Sequence, residues 1–211
     1  MKLLLIGNFG VGNLGDEALR TYFTERLPEH QWTVLSAHPL ENSQVPRLPL
    51  GIRSFFSTPW WKSVNAFRQC DAVVFGGGSL FTDVESVFAC ILWWCHAALA
   101  RMLGKPRYFA FQGIGPLTSS LGRWCTKSAL CDAAFISVRD ERSAQLTRTL
   151  TRTPVFVSAD PVLLLLQAGA QSEGDCLVLV PRSNSGEAFF QEAQNLLVQY
   201  KPSAVRILLL Q

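Results

Sequence analysis

The segment KLLLIGNFGVGNLGDE at residues 2–17 decides the fold class, because it joins a short apolar run to a glycine-rich turn and then to a helical pattern. The same order recurs at residues 72–103 and 107–131. Short apolar strands that alternate with helices are typical of a parallel sheet covered on both faces. We therefore predict an α/β fold built on a doubly wound parallel sheet.

The pattern continues along the chain and then changes at a small polar stretch, QAGAQSEGD, at residues 167–175. We predict an N-terminal Rossmann-like domain at 1–168, a linker at 169–175 and the first β-α-β of a second, incomplete Rossmann-like domain at 176–211. The predicted strands cover residues 2–6, 32–36, 72–75, 107–111, 134–138, 155–158, 176–180 and 205–210, and the predicted helices cover 16–27, 60–68, 84–103, 121–131, 141–150 and 187–199.

The composition of the chain excludes several classes of function. The chain has 211 residues, of which 48% are hydrophobic and 17% charged, with a net charge of +3. This balance allows a large core and argues against binding nucleic acid through its phosphates. The six cysteines show no CxxC pair and no metal-ligand spacing with the three histidines, so we expect reduced thiols and no metal site. The longest uncharged stretch, residues 86–100, is shorter than the about 20 residues of a spanning helix, so we predict a buried helix there and leave an interfacial one open.

The first turn contains GxGxxG in the form of Gly10, Gly12 and Gly15. A dinucleotide site is disfavoured, because Asp16 and Glu17 place negative charge where a pyrophosphate would lie, and the second strand ends without a carboxylate for the ribose. The alternative interpretation is that Asp16 and Glu17 only stabilise the helix, because their negative charges complement its dipole.

Two further glycine-rich turns are predicted to follow strands at the carboxyl edge of the sheet, where open α/β sheets bind ligands. In the turn at 76–83, three glycines allow a ligand to approach closely, and Ser79 can donate to an anion. Asp83 is expected to be either the N-cap of the long helix or a catalytic group. In the turn at 112–116, Gln112 is expected to face the cleft, with hydrogen bonding to loop backbone as the alternative.

Charged residues follow the later strands. Arg139 is expected either to bind a carboxylate or phosphate or to form a buried ion pair with Asp140. The proline that follows Asp160 holds its backbone extended, and we expect Asp160 either to act as a base or to hold the linker in place. Arg182 is expected to add a second cation.

In order and spacing, these turns resemble the polysaccharide pyruvyl transferase family, in the branch that pyruvylates cell-wall or capsular polysaccharide precursors. The matching motifs are GNLGDE at 12–17, GGGSLFTD at 76–83, QGIGP at 112–116, VRDE at 138–141 and ADP at 159–161. The resemblance implies a two-domain GT-B-like fold with the active site between the domains. It also implies phosphoenolpyruvate as co-substrate, an amino-sugar or hexose acceptor that is free or lipid-linked, no cofactor and no metal. A cytoplasmic enzyme is implied, with peripheral association at the inner face of the plasma membrane left open.

The chain departs from the family in its second half, because it contains no Arg-x-His motif of the kind that serves donor binding and acid catalysis there. We therefore expect truncation and assign no general acid. A GT-B glycosyltransferase that uses a nucleotide sugar and a non-catalytic remnant remain alternatives. The expected catalytic residues are Asp16, Arg139 and Asp160, and the expected substrate-binding residues are Gly12, Asn13, Gly15, Gly77, Gly78, Ser79, Gln112, Gly113, Gly115 and Arg182.

Overall fold

The computed structural model describes residues 1–49, 52–84, 86–164, 175–181 and 185–208. The chain divides into two compact units, Met1–Leu166 and Gln167–Gln211. Strands of the first unit are β1 (Lys2–Phe9), β2 (Gln31–Ser36), β3 (Gln44–Pro46), β4 (Ala72–Phe81), β5 (Arg107–Ile114), β6 (Phe135–Val138) and β7 (Val155–Val157). Its helices are α1 (Leu14–Arg26), α2 (Ile52–Ser57), α3 (Trp61–Gln69), α4 (Val87–Met102), α5 (Ser120–Leu130) and α6 (Glu141–Leu150), followed by a 3₁₀ turn at Pro161–Leu164.

The strands of the first unit form a seven-stranded sheet in the order β3-β2-β1-β4-β5-β6-β7, and each neighbouring pair is parallel. From β1 the chain moves outward to β2 and β3, and then returns to the other side of β1 at β4. This arrangement confirms the predicted α/β class with a doubly wound sheet, and it places a topological switch point between β1 and β4.

Strand β1 shows why both faces are covered, since its side chains alternate between two cores. Leu3 and Leu5 pack with residues of α1 in one buried cluster. Leu4 and Ile6 belong to the other cluster, which includes buried residues of α3, α4, α5 and α6. His96 of α4 lies in this second core and is fully buried, and its Nε2 accepts from the Leu48 N–H. Burial lowers the pKa of His96 to about 4, so it is a neutral core side chain.

Three local differences from the sequence prediction matter for the site. Residues 76–78 are not a turn, because β4 continues through them and pairs with β5 as far as Phe81. Likewise β5 extends to Ile114, so only the end of the predicted turn at 112–116 lies outside it. The connection before α3 contains the short strand β3 and the helix α2, neither of which was predicted. A run of glycines predicts a break when the sequence is considered locally, whereas here pairing with β5 continues the strand through these residues.

The second unit contains β8 (Cys176–Leu179), α7 (Glu187–Tyr200) and β9 (Ala204–Ile207). The two strands are parallel, which is the predicted β-α-β arrangement. Residues 165–174, which include most of the predicted linker, lie outside the described residues, as does Arg182. The domain boundaries at 168 and 175 stay predictions.

Candidate active site

The switch point between β1 and β4 brings a carboxylate against a glycine. Asp16, in the first turn of α1, accepts a hydrogen bond from Asn8 Nδ2 at the end of β1, at 3.1 Å. Its other oxygen approaches β4 closely, since a Cβ on Gly78 would lie 2.9 Å from Asp16 Oδ1. Gly78 also has a φ of +75°, so glycine is required there for both the backbone conformation and the close approach.

Burial raises the pKa of Asp16, and this outweighs the lowering by the Asn8 hydrogen bond and by the positive charges of Arg47 and Arg139. The carboxyl group therefore holds its proton more readily than an ordinary aspartate. A half-buried carboxyl group at the carboxyl edge of a sheet, within electrostatic reach of two guanidinium groups, is a candidate for proton transfer.

Arg47 is a functional candidate that the sequence interpretation missed. It follows β3, its Nη2 donates to the Phe9 carbonyl at 2.7 Å, and its guanidinium lies 5.2 Å from the centre of the Trp93 ring. Burial lowers the pKa of Arg47, while the charges of Asp16 and Glu17 oppose that shift. Because β3 itself was not predicted, the only available signal was a cation directly after the proline of the run QVPR.

Arg139 connects the ends of several strands. Its Nη2 donates to Ser79 Oγ of β4 at 2.8 Å, and its Nη1 lies 3.2 Å from Asp160 Oδ2 after β7. The arginine and aspartate side chains are each about one-third exposed, at 33% and 32%. Asp140, the alternative partner, instead caps α6 by accepting from the Ser143 N–H. The structure thus brings together three of the predicted site residues at the carboxyl edge.

Gly113 of β5 makes the contact between Arg139 and Ser79 possible. A Cβ at this position would lie 2.8 Å from Ser79 Oγ and 3.0 Å from Arg139 Nε and Nη2. The guanidinium therefore crosses β5 where a side chain is missing. Gly113 acts by leaving space for the arginine.

Gln112 differs from its prediction, because it does not face a cleft. It is fully buried, and its Nε2 donates to the carbonyls of Phe75 at 2.9 Å and Ala110 at 3.2 Å. Strand β5 is irregular here, with a positive φ at Phe111, and the amide supplies a donor to strand carbonyls. The alternative of backbone hydrogen bonding describes Gln112 correctly.

The loop at the start of α1 uses its own amide donors. Asn13 Oδ1 accepts from the N–H groups of Gly15 and Asp16, at 2.9 and 3.2 Å, as an N-cap. Glu17 Oε1 accepts from the Gly10 N–H at 2.7 Å, and its Oε2 pairs with Arg20. The backbone N–H groups of Gly15 and Asp16, which a substrate could otherwise use, are therefore occupied by the cap, and Glu17 has a structural role.

Asp83 does not cap α4 and is not exposed. Ser86 is the N-cap of α4, while Asp83 is buried and accepts four hydrogen bonds from the backbone and hydroxyl groups of Thr118 and Ser119. Burial alone would raise the pKa of Asp83, but these four donors lower it to about 2. Asp83 ties the end of β4 to the start of α5.

The remaining predicted residues lie in three different surroundings. Gly12, Asn13 and Gly15 are exposed beside the switch point, and Gly77, with a φ of +79°, packs against Leu19 of α1. Gly115 lies past the end of β5 and packs against Leu146, so its neighbour is an apolar side chain and not a polar group of the site. Within the described residues no group of three metal-ligating side chains occurs.

Comparison with known proteins now adds to this geometry. The polysaccharide pyruvyl transferase family matches residues 13–202. The chain belongs to this family. The matched range includes Asp16, Ser79, Arg139 and Asp160, and the family's name is that of a transferase. No curated protein sequence matches the chain significantly.

The chain also resembles solved structures. HepE (Alr3699) from Anabaena, in complex with UDP and glucose, has a TM-score of 0.58 and 11% identity, over 100% of this chain and 70% of HepE. That likeness concerns the fold and confirms the GT-B-like α/β class. A Schiff-base-forming fructose-1,6-bisphosphate aldolase aligns with a TM-score of 0.31 and 10% identity, over 98% of this chain and 85% of the aldolase, which carries no argument. In the part of the chain that the structure describes, no helix is long and apolar enough to span a bilayer.

Proposed function

We propose that this chain carries the phosphoenolpyruvate-binding edge of a pyruvyltransferase, which transfers pyruvate to a sugar of a cell-surface polysaccharide precursor as a cyclic ketal. Membership of the family supports the class of transferase. The observation that carries the assignment is Arg139, a partly exposed guanidinium held by Ser79 and Asp160 at the carboxyl edge of the sheet.

Arg139 suits the donor because phosphoenolpyruvate carries a phosphate and a carboxylate, which are the groups that a guanidinium binds best. The contacts to Ser79 and Asp160 orient the guanidinium and leave N–H groups for a ligand. Because both partners are side chains, an incoming anion can replace either of them.

Asp16 suits the acceptor. Its carboxyl oxygens accept hydrogen bonds, and its raised pKa favours taking a proton from a sugar hydroxyl. Arg47 stabilises the ionised form of Asp16 by its charge. The acceptor is an amino sugar or hexose, free or lipid-linked, and the reaction uses phosphoenolpyruvate as co-substrate without a cofactor or metal.

The reaction balances without a further reactant. Protonation of the donor methylene accompanies attack of one sugar hydroxyl on the enol carbon. Phosphate then leaves, and the second hydroxyl attacks the same carbon and loses its proton, which closes the ketal. Of the two protons that the hydroxyls release, one balances the proton taken up by the methylene and the other leaves with the product as hydrogen phosphate. In this scheme Arg139 binds the departing phosphate and Asp16 accepts a hydroxyl proton, and we assign no residue of this chain as the general acid.

Calorimetry with phosphoenolpyruvate and with UDP-glucose tests the donor. We expect phosphoenolpyruvate to bind and UDP-glucose not to, with Arg139→Ala weakening the affinity roughly 30-fold through the loss of charge-assisted hydrogen bonds. Arg142→Ala is the matched control, because Arg142 is exposed on α6 near Arg139. Binding of UDP-glucose alone would favour a nucleotide-sugar transferase, and unchanged affinity in Arg139→Ala would remove Arg139 from the site.

A further inference from the structure

Helix α4 has an outer surface that is unusual for a helix of a water-exposed domain. All of its partly or fully exposed residues are apolar up to Leu99, and its charged residue is Arg101 near the C-terminal end. Phe88 and Met102 are 62% and 82% exposed. A helix that packs on a sheet normally presents polar side chains outward, so an apolar outer stripe marks an interaction surface. The stripe consists of the exposed Phe88 and Met102 and, between them, the partly buried Ile91, Cys95 and Ala98, of which Ile91 also packs against the core.

Helix α5 extends this surface. Trp124 is 52% exposed and its ring centre lies 5.1 Å from that of Trp94, which bonds to Ser128 of α5. Leu121, one turn earlier, is also exposed. The two helices contact each other through Trp94, which packs against Trp124 and donates to Ser128. The α4–α5 surface is therefore continuous.

The charged residues of these two helices have one sign. Neither helix contains an acidic residue, and Arg101, Arg123 and Lys127 are exposed on them. In contrast, α1 and α6 carry acidic residues in their first turns. Exposed tryptophan and phenylalanine beside lysine and arginine, with no carboxylate in either helix, match the interface of a bilayer with anionic headgroups.

We propose that the α4–α5 surface docks the protein on an anionic lipid bilayer, with Phe88, Leu121 and Trp124 inserted among the headgroups. The same two helices of a second copy would present the same cations and no carboxylate, so charge favours the bilayer over self-association. The N-terminal ends of both helices follow the carboxyl ends of β4 and β5, so docking places the Arg139 edge beside the lipid. That last consequence, which suits a lipid-linked acceptor, rests on the proposed function, whereas docking itself does not.

Sedimentation of the full chain with phosphatidylcholine vesicles, with and without phosphatidylglycerol, tests this proposal. We expect binding only to the vesicles that contain phosphatidylglycerol, and weaker binding as ionic strength rises. The double variant Arg123→Glu, Lys127→Glu should lower the affinity about tenfold or more, and Phe88→Ser with Trp124→Ser should lower it similarly. All four positions are exposed, and thermal unfolding by circular dichroism verifies that the variants fold.

Matched controls come from other surfaces. Arg142→Glu with Arg148→Glu reverses two exposed charges on α6, and Phe156→Ser removes an aromatic ring of similar exposure on β7. Both should bind like the unmodified chain. Absence of binding, equal binding to neutral vesicles, equal loss in the controls, or a dimer in analytical ultracentrifugation that depends on Phe88 and Trp124 would each overturn the proposal. None of these measurements depends on pyruvyl transfer, so the vesicle-binding result could still be interpreted if the proposed function were wrong.

Discussion

Arg107 and Arg139 lie at opposite edges of the main sheet and have different kinds of partner. At the amino edge Arg107 is only 3% exposed, and its guanidinium donates to the carbonyls of Ala129, Cys131 and Asp132 at 2.9, 2.7 and 3.1 Å. These carbonyls belong to the end of α5, where a helix leaves acceptors without partners. Lys105 does the same for the carbonyls of Arg68 and Cys70, at the end of α3.

At the carboxyl edge Arg139 contacts two side chains and is one-third exposed. A ligand can replace side-chain partners, whereas the backbone carbonyls at a helix end are permanent. The comparison teaches that an arginine whose partners are helix carbonyls stabilises the fold, and one whose partners are exchangeable side chains is available for binding.

The largest effect is expected at the amino edge. Arg107→Met should lower the free energy of unfolding by about 3 kcal/mol, because three buried carbonyls lose a charged donor. Arg139→Ala should lower it by about 1 kcal/mol or less, since its ion pair is partly exposed. Urea denaturation followed by fluorescence measures both. Equal losses would break the distinction between the edges, and Arg101→Met, an exposed arginine of α4, is the control.

Two aspartates of the carboxyl edge sharpen the comparison, because their pKa values move in opposite directions. Burial raises the pKa of Asp16, which has one side-chain donor, whereas four donors overcome burial at Asp83 and lower its pKa to about 2. Asp83 therefore stabilises the fold above its unfolded pKa of 3.8, and this contribution is lost as pH falls towards 2.

Asp83→Asn should lower the free energy of unfolding by roughly 2 kcal/mol near neutral pH, because the amide cannot accept from all four donors. The difference from the unmodified chain should shrink as pH falls from about 5 to 2. Urea denaturation at a series of pH values measures this. Glu25→Gln, at an exposed carboxylate of α1, is the control, and a pH-independent difference would contradict the assignment.

The smallest effect is expected at Gly113. Gly113→Ala places a methyl group against Ser79 and Arg139, which should weaken phosphoenolpyruvate binding about tenfold by moving the guanidinium. Gly12→Ala is the contrasting variant, because open space surrounds its Cβ position and only its φ of +81° opposes alanine. Calorimetry of both variants decides the matter. If Gly12→Ala weakened binding more, the close approach at Gly113 would not control the site.

Much of this organisation could be predicted from local sequence. The order of strands and helices in the first unit apart from β3 and α2, the bounds of α6 and the position of Arg139 after β6 all follow from apolar runs and the charged residues that separate them. The continuation of β4 through three consecutive glycines could not be predicted, because a run of glycines favours a break and only pairing with β5 continues the strand here. Arg47 was missed for a related reason, since the three-residue strand before it depends on pairing with β2.

By itself, the sequence determined the alternation of apolar runs and helical patterns, and therefore the class of sheet and the family of the protein. Those features are local or periodic, so they can be recognised from the sequence alone. Only the tertiary structure decided that Asp160, rather than Asp140, pairs with Arg139, and that Asp83 bonds to Ser119, 36 residues away. Such partners depend on how separate strands end side by side, because distances between side chains are set by packing and not by spacing in the sequence.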